Sequence, residues 1–312
     1  MTVLKFNIEY KTQWGEELCV AGSIPQLGEL NEDDALVLST INGVDWNSEV
    51  QIKSVDKEPL DYYYFVRKDG YTQRREHTPN RQIKLSVNTD FTIQDYWKEE
   101  TYHSYLYTSV FTECVFKQPL QSIASPKHKK SKLLNVICPY VKKTEYVVIT
   151  GEGERLGNWD LKKALPLSLV RYGEWQVELN ALNIPSGTPY KFAIVDSCNF
   201  SKVHWEEGEN RILHIDKSTQ KRKSVSVDMG LTYKYSFFQW KGKGVSIPLF
   251  SLRSEESAGI GDFHDLKKMV DWSVATDQDM IQILPINDTT STASWTDSYP
   301  YSSISIFAFN PI

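Results

Sequence analysis

An internal repeat limits the folds open to this chain more than any other feature of its sequence. The segment ELCVAGSIPQLGEL at 17–30 matches YVVITGEGERLGNW at 146–159, and the two segments are 129 residues apart. The same separation relates Trp46 of DWNSEV to Trp175 of EWQVEL. Two matches at one separation indicate two copies of a single structural unit.

Each copy has the pattern of a β-sandwich. Segments of alternating apolar and polar residues follow one another, and Gly, Pro, Asn and Asp separate them at the spacing of an antiparallel sandwich. We therefore predict one sandwich at 1–100 and a second at 132–230. Residues 101–131 between them are a predicted linker, because a basic run such as SPKHKKSK at its end is typical of a solvated segment.

The pattern changes after residue 230. GVSIPLFSLRS at 244–254 and DMIQILPIND at 279–288 are predicted to be buried strands, and FHDLKKMVDWSVAT at 263–276 has the apolar spacing of a helix. A strand, a helix and a second strand in this order indicate a parallel βαβ unit. The predicted fold class is therefore mostly β, with an α/β segment at 231–312.

Composition excludes some functions. The chain has 35 basic and 40 acidic residues, and no block of Lys and Arg stands out, which argues against nucleic acid as the main partner. No signal peptide and no apolar segment of about 20 residues is present, so we predict a cytoplasmic protein without a membrane span. The four cysteines, Cys19, Cys114, Cys138 and Cys198, lack metal-ligand spacing and are predicted to be reduced thiols.

Several motifs resemble known families. LGNW, EWQVEL, YKF and HWEEGENR in the second copy are similar to a starch-binding module of carbohydrate-binding module family 20. From residue 244 onward, SLRSEE, ILPIND and WTDSYPYSS resemble the start of a glycoside hydrolase family 77 4-α-glucanotransferase, most of all the DPE2-type disproportionating enzymes.

The resemblance implies two immunoglobulin-like starch-binding sandwiches, followed by the first βα units of a (β/α)8 barrel. It also implies transfer of glucosyl units between maltose or malto-oligosaccharides and an α-1,4-glucan, without a cofactor or a metal. The catalytic carboxylates of that family are expected beyond residue 312. We therefore assign no catalytic residue, and we expect this chain to be inactive alone.

The second copy carries the complete sugar-binding pattern of the module family. The resemblance implies that Trp159 and Trp205 are sugar platforms and that Lys191 and Asn210 are their hydrogen-bonding partners. An aromatic ring can cover the apolar face of a pyranose while polar neighbours bond its hydroxyls. The alternative is that both tryptophans are buried, as we expect for Trp175 in its alternating context.

The first copy departs from the pattern. Leu30, Tyr64 and Arg75 stand where the family has Trp, Lys and Trp, and only Asn80 is retained, so this site is expected to be weak or lost. Trp14 stands where family members often carry a Tyr of a second sugar site. It either forms such a surface or packs as an ordinary residue near a strand start.

In the C-terminal segment, Tyr301 of DSYPYSS matches a substrate-contacting Tyr of the glucanotransferase family, and Tyr299 replaces a Ser. The alternative is that these rings cover hydrophobic residues. Asp262 and Asp265 are expected at a helix start. Two other functions stay open for the whole chain: a glucan-binding scaffold without catalysis, and an immunoglobulin-like protein-interaction module with buried tryptophans.

Overall fold

The repeat in the sequence is a repeat of strands in the structure. The computed structural model describes residues 1–55, 57–77, 79–99, 104–115, 117, 119–196, 203–215, 222–235, 241–257, 259–292, 294–299 and 301–309. Cys198 lies outside these residues. The chain divides into two units, 1–238 and 239–312, each described here by itself. Strands dominate, which confirms the predicted fold class.

The first module consists of nine strands in the described residues. They are β1 (Thr2–Glu9), β2 (Glu16–Gly22), β3 (Leu36–Val37), β4 (Ser39–Thr40), β5 (Asp45–Ile52), β6 (Leu60–Lys68), β7 (Tyr71–Arg75), β8 (Arg81–Ile83) and β9 (Thr89–Tyr96). One sheet has the order β3-β2-β6-β7, with β8 also paired to β6. Alternation explains the core, since Leu4, Phe6 and Ile8 of β1 are buried while the residues between them are more exposed.

The second module repeats this arrangement. Its strands are β10 (Lys130–Ile137), β11 (Glu145–Gly151), β12 (Leu165–Pro166), β13 (Ser168–Arg171), β14 (Glu174–Asn180), β15 (Thr188–Asp196), β16 (Val203–Trp205), β17 (Arg211–Leu213) and β18 (Lys223–Thr232). The sheet β12-β11-β15-β16, with β17 also paired to β15, corresponds to the sheet of β2 and β6 in the first module.

The remaining strands of both modules form one continuous sheet. Its eight strands have the order β13-β14-β10-β18-β9-β1-β5-β4. The modules meet where β18 pairs with β9 in parallel, from Lys223 opposite Thr89 to Met229 opposite Asp95. The two sandwiches are therefore fused through their last strands, which the repeat pattern alone did not predict.

The two cores lie on opposite faces of the shared sheet. Leu133 of β10 belongs to the core that contains Phe91 and Val227, whereas the next residue, Leu134, belongs to the core of the second module with Phe192. Successive side chains of a strand point to opposite faces. The first module thus covers part of the sheet face that points away from the core of the second module.

Buried charged groups also join the modules. Arg81 is buried and pairs with Glu76 and with Asp95, and its Nη1 donates to the Met229 carbonyl of the second module at 3.1 Å. Gly230 follows Met229 with φ of +84°, and a Cβ there would lie 2.6 Å from Arg81 Nη1. Glycine at 230 leaves the space that this guanidinium occupies.

The predicted linker 101–131 is folded in part. Residues Ser104–Tyr107 form a 3-10 turn and Val110–Val115 a π-helical turn. The SPKHKKSK run is not a free solvated segment: the Lys127 and His128 amides donate to Glu178, and β10 already begins at Lys130. The basic character of this run did not predict these hydrogen bonds of its backbone.

The second unit contains the predicted parallel strand–helix–strand. Strand β19 (Gly244–Ile247) pairs in parallel with β20 (Met280–Ile283), and helix α1 (Phe263–Ala275) lies between them in sequence. Both strands are shorter and more exposed than predicted. Strand β19 ends because Pro248 follows it, and proline has no amide to donate.

Two further features complete this unit. Asp262 and Asp265 form a capping box at the start of α1, as expected for a helix start. Many apolar side chains are exposed, including Phe250, Phe263 and Trp272. Within the part of the chain that the structure describes, no helix is long and apolar enough to cross a membrane.

Candidate functional site

Trp159 stands on an unusual turn of the second module. Gly157, Asn158 and Trp159 all have left-handed φ values, of +78°, +49° and +64°. A Cβ on Gly157 would lie 2.7 Å from the Lys163 carbonyl oxygen, so only glycine fits there. Residues in sparsely populated backbone conformations cluster at functional sites. The turn holds the Trp159 side chain half-buried at the surface.

Strand alternation brings Lys191 and Trp205 to the outer face of the same sheet. Tyr190 and Phe192 of β15 point into the core, so Lys191 and Ala193 point outward. Ala193 lies opposite Trp205 in the β15–β16 pair, and Trp205 is 39% exposed. This exposure excludes the alternative that both tryptophans are core residues.

The turn and the strands are joined directly. The Trp159 amide donates to the Gly151 carbonyl at 3.1 Å, and Gly151 lies opposite Tyr190, the neighbour of Lys191. The Lys191 ammonium donates to the Gly208 carbonyl at 2.7 Å, which fixes the loop that carries the exposed Asn210. An ammonium has three donors, so Lys191 keeps donors for a ligand.

A buried ion pair supports this loop, and sequence reasoning missed it. The buried Glu206 carboxylate pairs with Arg211, which also donates to the Thr232 carbonyl of β18 at 2.7 Å. Burial opposes the charge of Arg211, but its hydrogen bond to Glu206 outweighs this and raises the pKa of Arg211. The repeat carried the signal, since Glu76 and Arg81 form the same pair in the first module.

The register of the first module corrects one alignment. Gly22 lies opposite Tyr62 as Gly151 lies opposite Tyr190, so the counterpart of Lys191 is Tyr63. The expected counterpart, Tyr64, points into the core, where its hydroxyl donates to Asp95 at 2.6 Å. A shift of one residue moves a side chain to the other face of a sheet.

Internal contacts fill the corresponding face of the first module. Arg75 occupies the position of Trp205, and its guanidinium carbon lies 3.7 Å from the centre of the Tyr63 ring. The Tyr63 and Thr72 hydroxyls both donate to Glu32, at 3.1 and 2.6 Å. Leu30 stands on the same left-handed turn as Trp159 but has no aromatic ring. Within the described part of this face, the Tyr63 ring is covered by Arg75 and is not open to solvent.

Trp14 lies on the turn between β1 and β2 and is 97% exposed. Hydrogen bonds between Gln13 and Glu16 close the turn, and those between Lys142 and Glu145 close its counterpart in the second module. Lys143 stands there in place of Trp14. The exposure excludes the packing alternative for Trp14.

Other aromatic residues divide between core and surface. Trp46 and Trp175 are buried, and their Nε1 atoms donate to the Tyr10 and Cys138 carbonyls, as expected for core tryptophans. In the second unit, the Tyr299 and Tyr301 rings are exposed and their centres lie 5.5 Å apart. Each ring is therefore more than half open to solvent.

Comparison with protein families identifies the modules. The family model described as the starch binding domain matches residues 1–95 and 133–225, more than half of the chain. The chain belongs to this family. The model described as 4-alpha-glucanotransferase matches residues 247–312, beyond the two starch-binding domains. The predicted order of family resemblances is thereby confirmed.

Individual relatives agree with this order. The 4-alpha-glucanotransferase DPE2 of Oryza sativa subsp. japonica is 32% identical over 99% of this chain and 34% of its own length. A 4-alpha-glucanotransferase of Chlamydia trachomatis is 52% identical over 22% of this chain and 12% of its own. The chain thus spans about a third of the rice relative. Among solved structures, the family 20 module of a maltotetraose-forming amylase from Pseudomonas saccharophila covers 32% of this chain and 99% of its own, at 19% identity and a TM-score of 0.26.

Proposed function

We propose that the two starch-binding domains bind α-1,4-glucan and serve a 4-α-glucanotransferase. The observation that carries this proposal is the outer face shared by Lys191 and Trp205, with Asn210 on the adjoining loop and the half-buried Trp159 on a turn hydrogen-bonded to Gly151. Two indole rings offer apolar surfaces to the C–H faces of glucose residues. The ammonium and the amide can bond the hydroxyl rim. Two separate aromatic platforms suit the coiled shape of an α-1,4-glucan better than the shape of a flat glucan chain.

Trp14 is proposed as a second platform, in the other module. Its ring is almost wholly exposed, and its turn is fixed by hydrogen bonds to Glu16. The modules therefore contribute different platforms. Because β9 and β18 join them, a polymer held at one platform raises the local glucan concentration at the other.

The proposed parent reaction transfers glucosyl units between maltose or malto-oligosaccharides and a larger glucan acceptor. A retaining mechanism would use two carboxylates and a covalent glycosyl-enzyme, with a sugar hydroxyl in place of water in the second step. The match of residues 247–312 supports this role. Tyr299 and Tyr301, both exposed, are proposed substrate contacts.

We also propose a cytoplasmic location. Among the described residues, Cys19, Cys114 and Cys138 are unpaired thiols, as is usual in reducing compartments. Burial raises the pKa of Cys19 to about 11, so this thiol stays protonated and unreactive.

Replacement of Trp205 by Ala tests glucan binding. Isothermal titration of the whole chain uses β-cyclodextrin, a cyclic α-1,4-glucan. The binding free energy at this site should fall by roughly 1–3 kcal/mol, the range for stacking on an aromatic side chain. Tyr71→Ala is the matched control, since Tyr71 is 76% exposed but lies outside both platforms. Equal affinity of wild type and Trp205→Ala would contradict the proposal. A protein-interaction module is not favoured, because it would bury Trp205.

A further inference from the structure

One edge of the shared sheet carries the same loops of both modules. Strands β10, β18, β9 and β1 are neighbours and run parallel, so their carboxyl ends lie at one edge. The Trp14 turn follows β1, and its counterpart follows β10. Three strand spacings separate them, or about 14 Å.

The loops at this edge have equivalent backbones. The Tyr10 amide donates to the Val44 carbonyl at 2.8 Å, and the Cys138 amide donates to the Gly173 carbonyl at 2.7 Å. The turn before β14, at 171–173, is therefore the counterpart of the turn before β5. In the first module this end is open, since Trp14 and Ile41 are almost wholly exposed.

In the second module a chain segment covers this end. We call residues 104–111 the strap. Its Leu106 side chain has no exposed surface. The Tyr107 ring meets the Tyr172 ring edge-on, with centres 5.7 Å apart, and Tyr107 Cε1 lies 3.3 Å from the Cβ position of Gly173. Tyr105 packs on Phe111 within the strap, at 5.3 Å.

The covered surface is aromatic. Tyr172 and Tyr140 are half-buried there, and the Tyr172 hydroxyl donates to the Pro139 carbonyl at 3.0 Å. Burial, together with the neighbouring Cys138, Tyr105 and Tyr140, raises the pKa of Tyr172. Tyr107 of the strap and Pro139 of the loop after β10 thus both contact Tyr172.

The path of the chain explains how the strap reaches this place. It follows β9, whose carboxyl end lies at the same edge. Lys98, just after β9, pairs with Glu174 of the second module at 3.4 Å, and both side chains are almost fully buried. Beyond the strap, the Gln121 amide donates to the Leu169 carbonyl of β13.

We propose that the strap closes an α-glucan-binding surface of the second module, formed by Tyr140 and Tyr172. Tyr107 occupies the space in which a glucose ring would contact Tyr172. This inference rests on the proposed function. With the strap docked, Trp14 is the platform at this edge; with the strap released, the edge offers two sugar surfaces side by side.

Release of the strap in the whole chain tests this proposal. Leu106→Asp places a carboxylate where no solvent reaches, and titration with β-cyclodextrin should then show one more bound molecule per chain than the wild type. The added site should be lost when Tyr172→Ala is combined with it. Val110→Asp is the matched control, since Val110 belongs to the strap but is 49% exposed, and it should add no site.

Tyr107→Ala removes only the ring that meets Tyr172, so it provides a second variant if Leu106→Asp does not fold. The proposal is overturned if neither variant adds a site, or if the added site survives Tyr172→Ala. If wild-type binding requires Trp14 and Trp205 and release of the strap adds no binding site, the strap proposal is contradicted and the proposed function stands. If the wild type binds no β-cyclodextrin, the proposed function is contradicted. If release of the strap then produces binding that depends on Tyr172, the strap proposal is still supported.

Discussion

Leu30 of the first module and Trp159 of the second stand on the same turn, with φ of +68° and +64°. Gly28 and Gly157, two residues earlier, share a φ of +78°, and a Cβ on either would lie 2.7 Å from a backbone atom. The turn that carries Trp159 is thus present in both modules, although an indole stands on it in only one. Backbone geometry alone does not mark a working site.

The two modules have complementary surfaces. The second keeps Trp159 and Trp205 but has Lys143 at the Trp14 position, and its edge lies under the strap. The first keeps Trp14, but the face corresponding to Trp205 is filled by Arg75 and its partners. The fused pair thus presents Trp14 from the first module and Trp159 and Trp205 from the second.

The largest expected difference between the modules concerns their buried arginines. Arg81→Met should lower the free energy of unfolding by about 3–5 kcal/mol, because Glu76 and Asp95 are left buried without a cation. Arg211→Met should cost about 1–3 kcal/mol, since the Arg211 side chain is 15% exposed. Urea unfolding followed by circular dichroism measures both. Equal losses would show that leaving two buried carboxylates without a cation costs no more than leaving one.

The two glycine turns should have equal stability effects and unequal binding effects. Gly28→Ala and Gly157→Ala should each cost roughly 1–3 kcal/mol of unfolding free energy, through left-handed strain and backbone contact. Only Gly157→Ala should weaken β-cyclodextrin binding, because it displaces Trp159. Gly153→Ala is the control: it has a φ of +88° but open space, and should cost less. Weaker β-cyclodextrin binding by Gly28→Ala would indicate that the turn of Gly28 and Leu30 also takes part in sugar binding.

The smallest expected effect concerns the turn between β1 and β2. In a Trp205→Ala background, Trp14→Ala should remove about 1 kcal/mol of the remaining β-cyclodextrin affinity, since a single ring provides the contact. Lys143→Ala, the corresponding change in the second module, should leave it unchanged. Titration calorimetry compares the two, and an equal loss from both would deny Trp14 a special role.

Local sequence patterns predicted most elements, and they named the residues of the proposed site, of which Trp14 and Trp205 are exposed in the structure. The spacing that relates Trp46 to Trp175 located the two modules, and the HWEEGENR loop singled out Trp205. The alignment of Lys191 with Tyr64 was wrong by one residue, since YYYFV has aromatic residues on both faces and gives no alternation to fix the register. The Glu206–Arg211 pair was missed because its signal lay in the comparison of the repeats.

The sequence by itself determined the repeat, the strand-rich fold and the residues available for stacking, because each depends on local spacing and side-chain chemistry. Tertiary structure decided which of these residues face solvent, how the modules share a sheet and what the strap covers. The pairing of β9 with β18 joins strands more than a hundred residues apart, and the docking of Tyr107 on Tyr172 joins two loops. Such contacts depend on the packing of whole modules, and no local pattern encodes them.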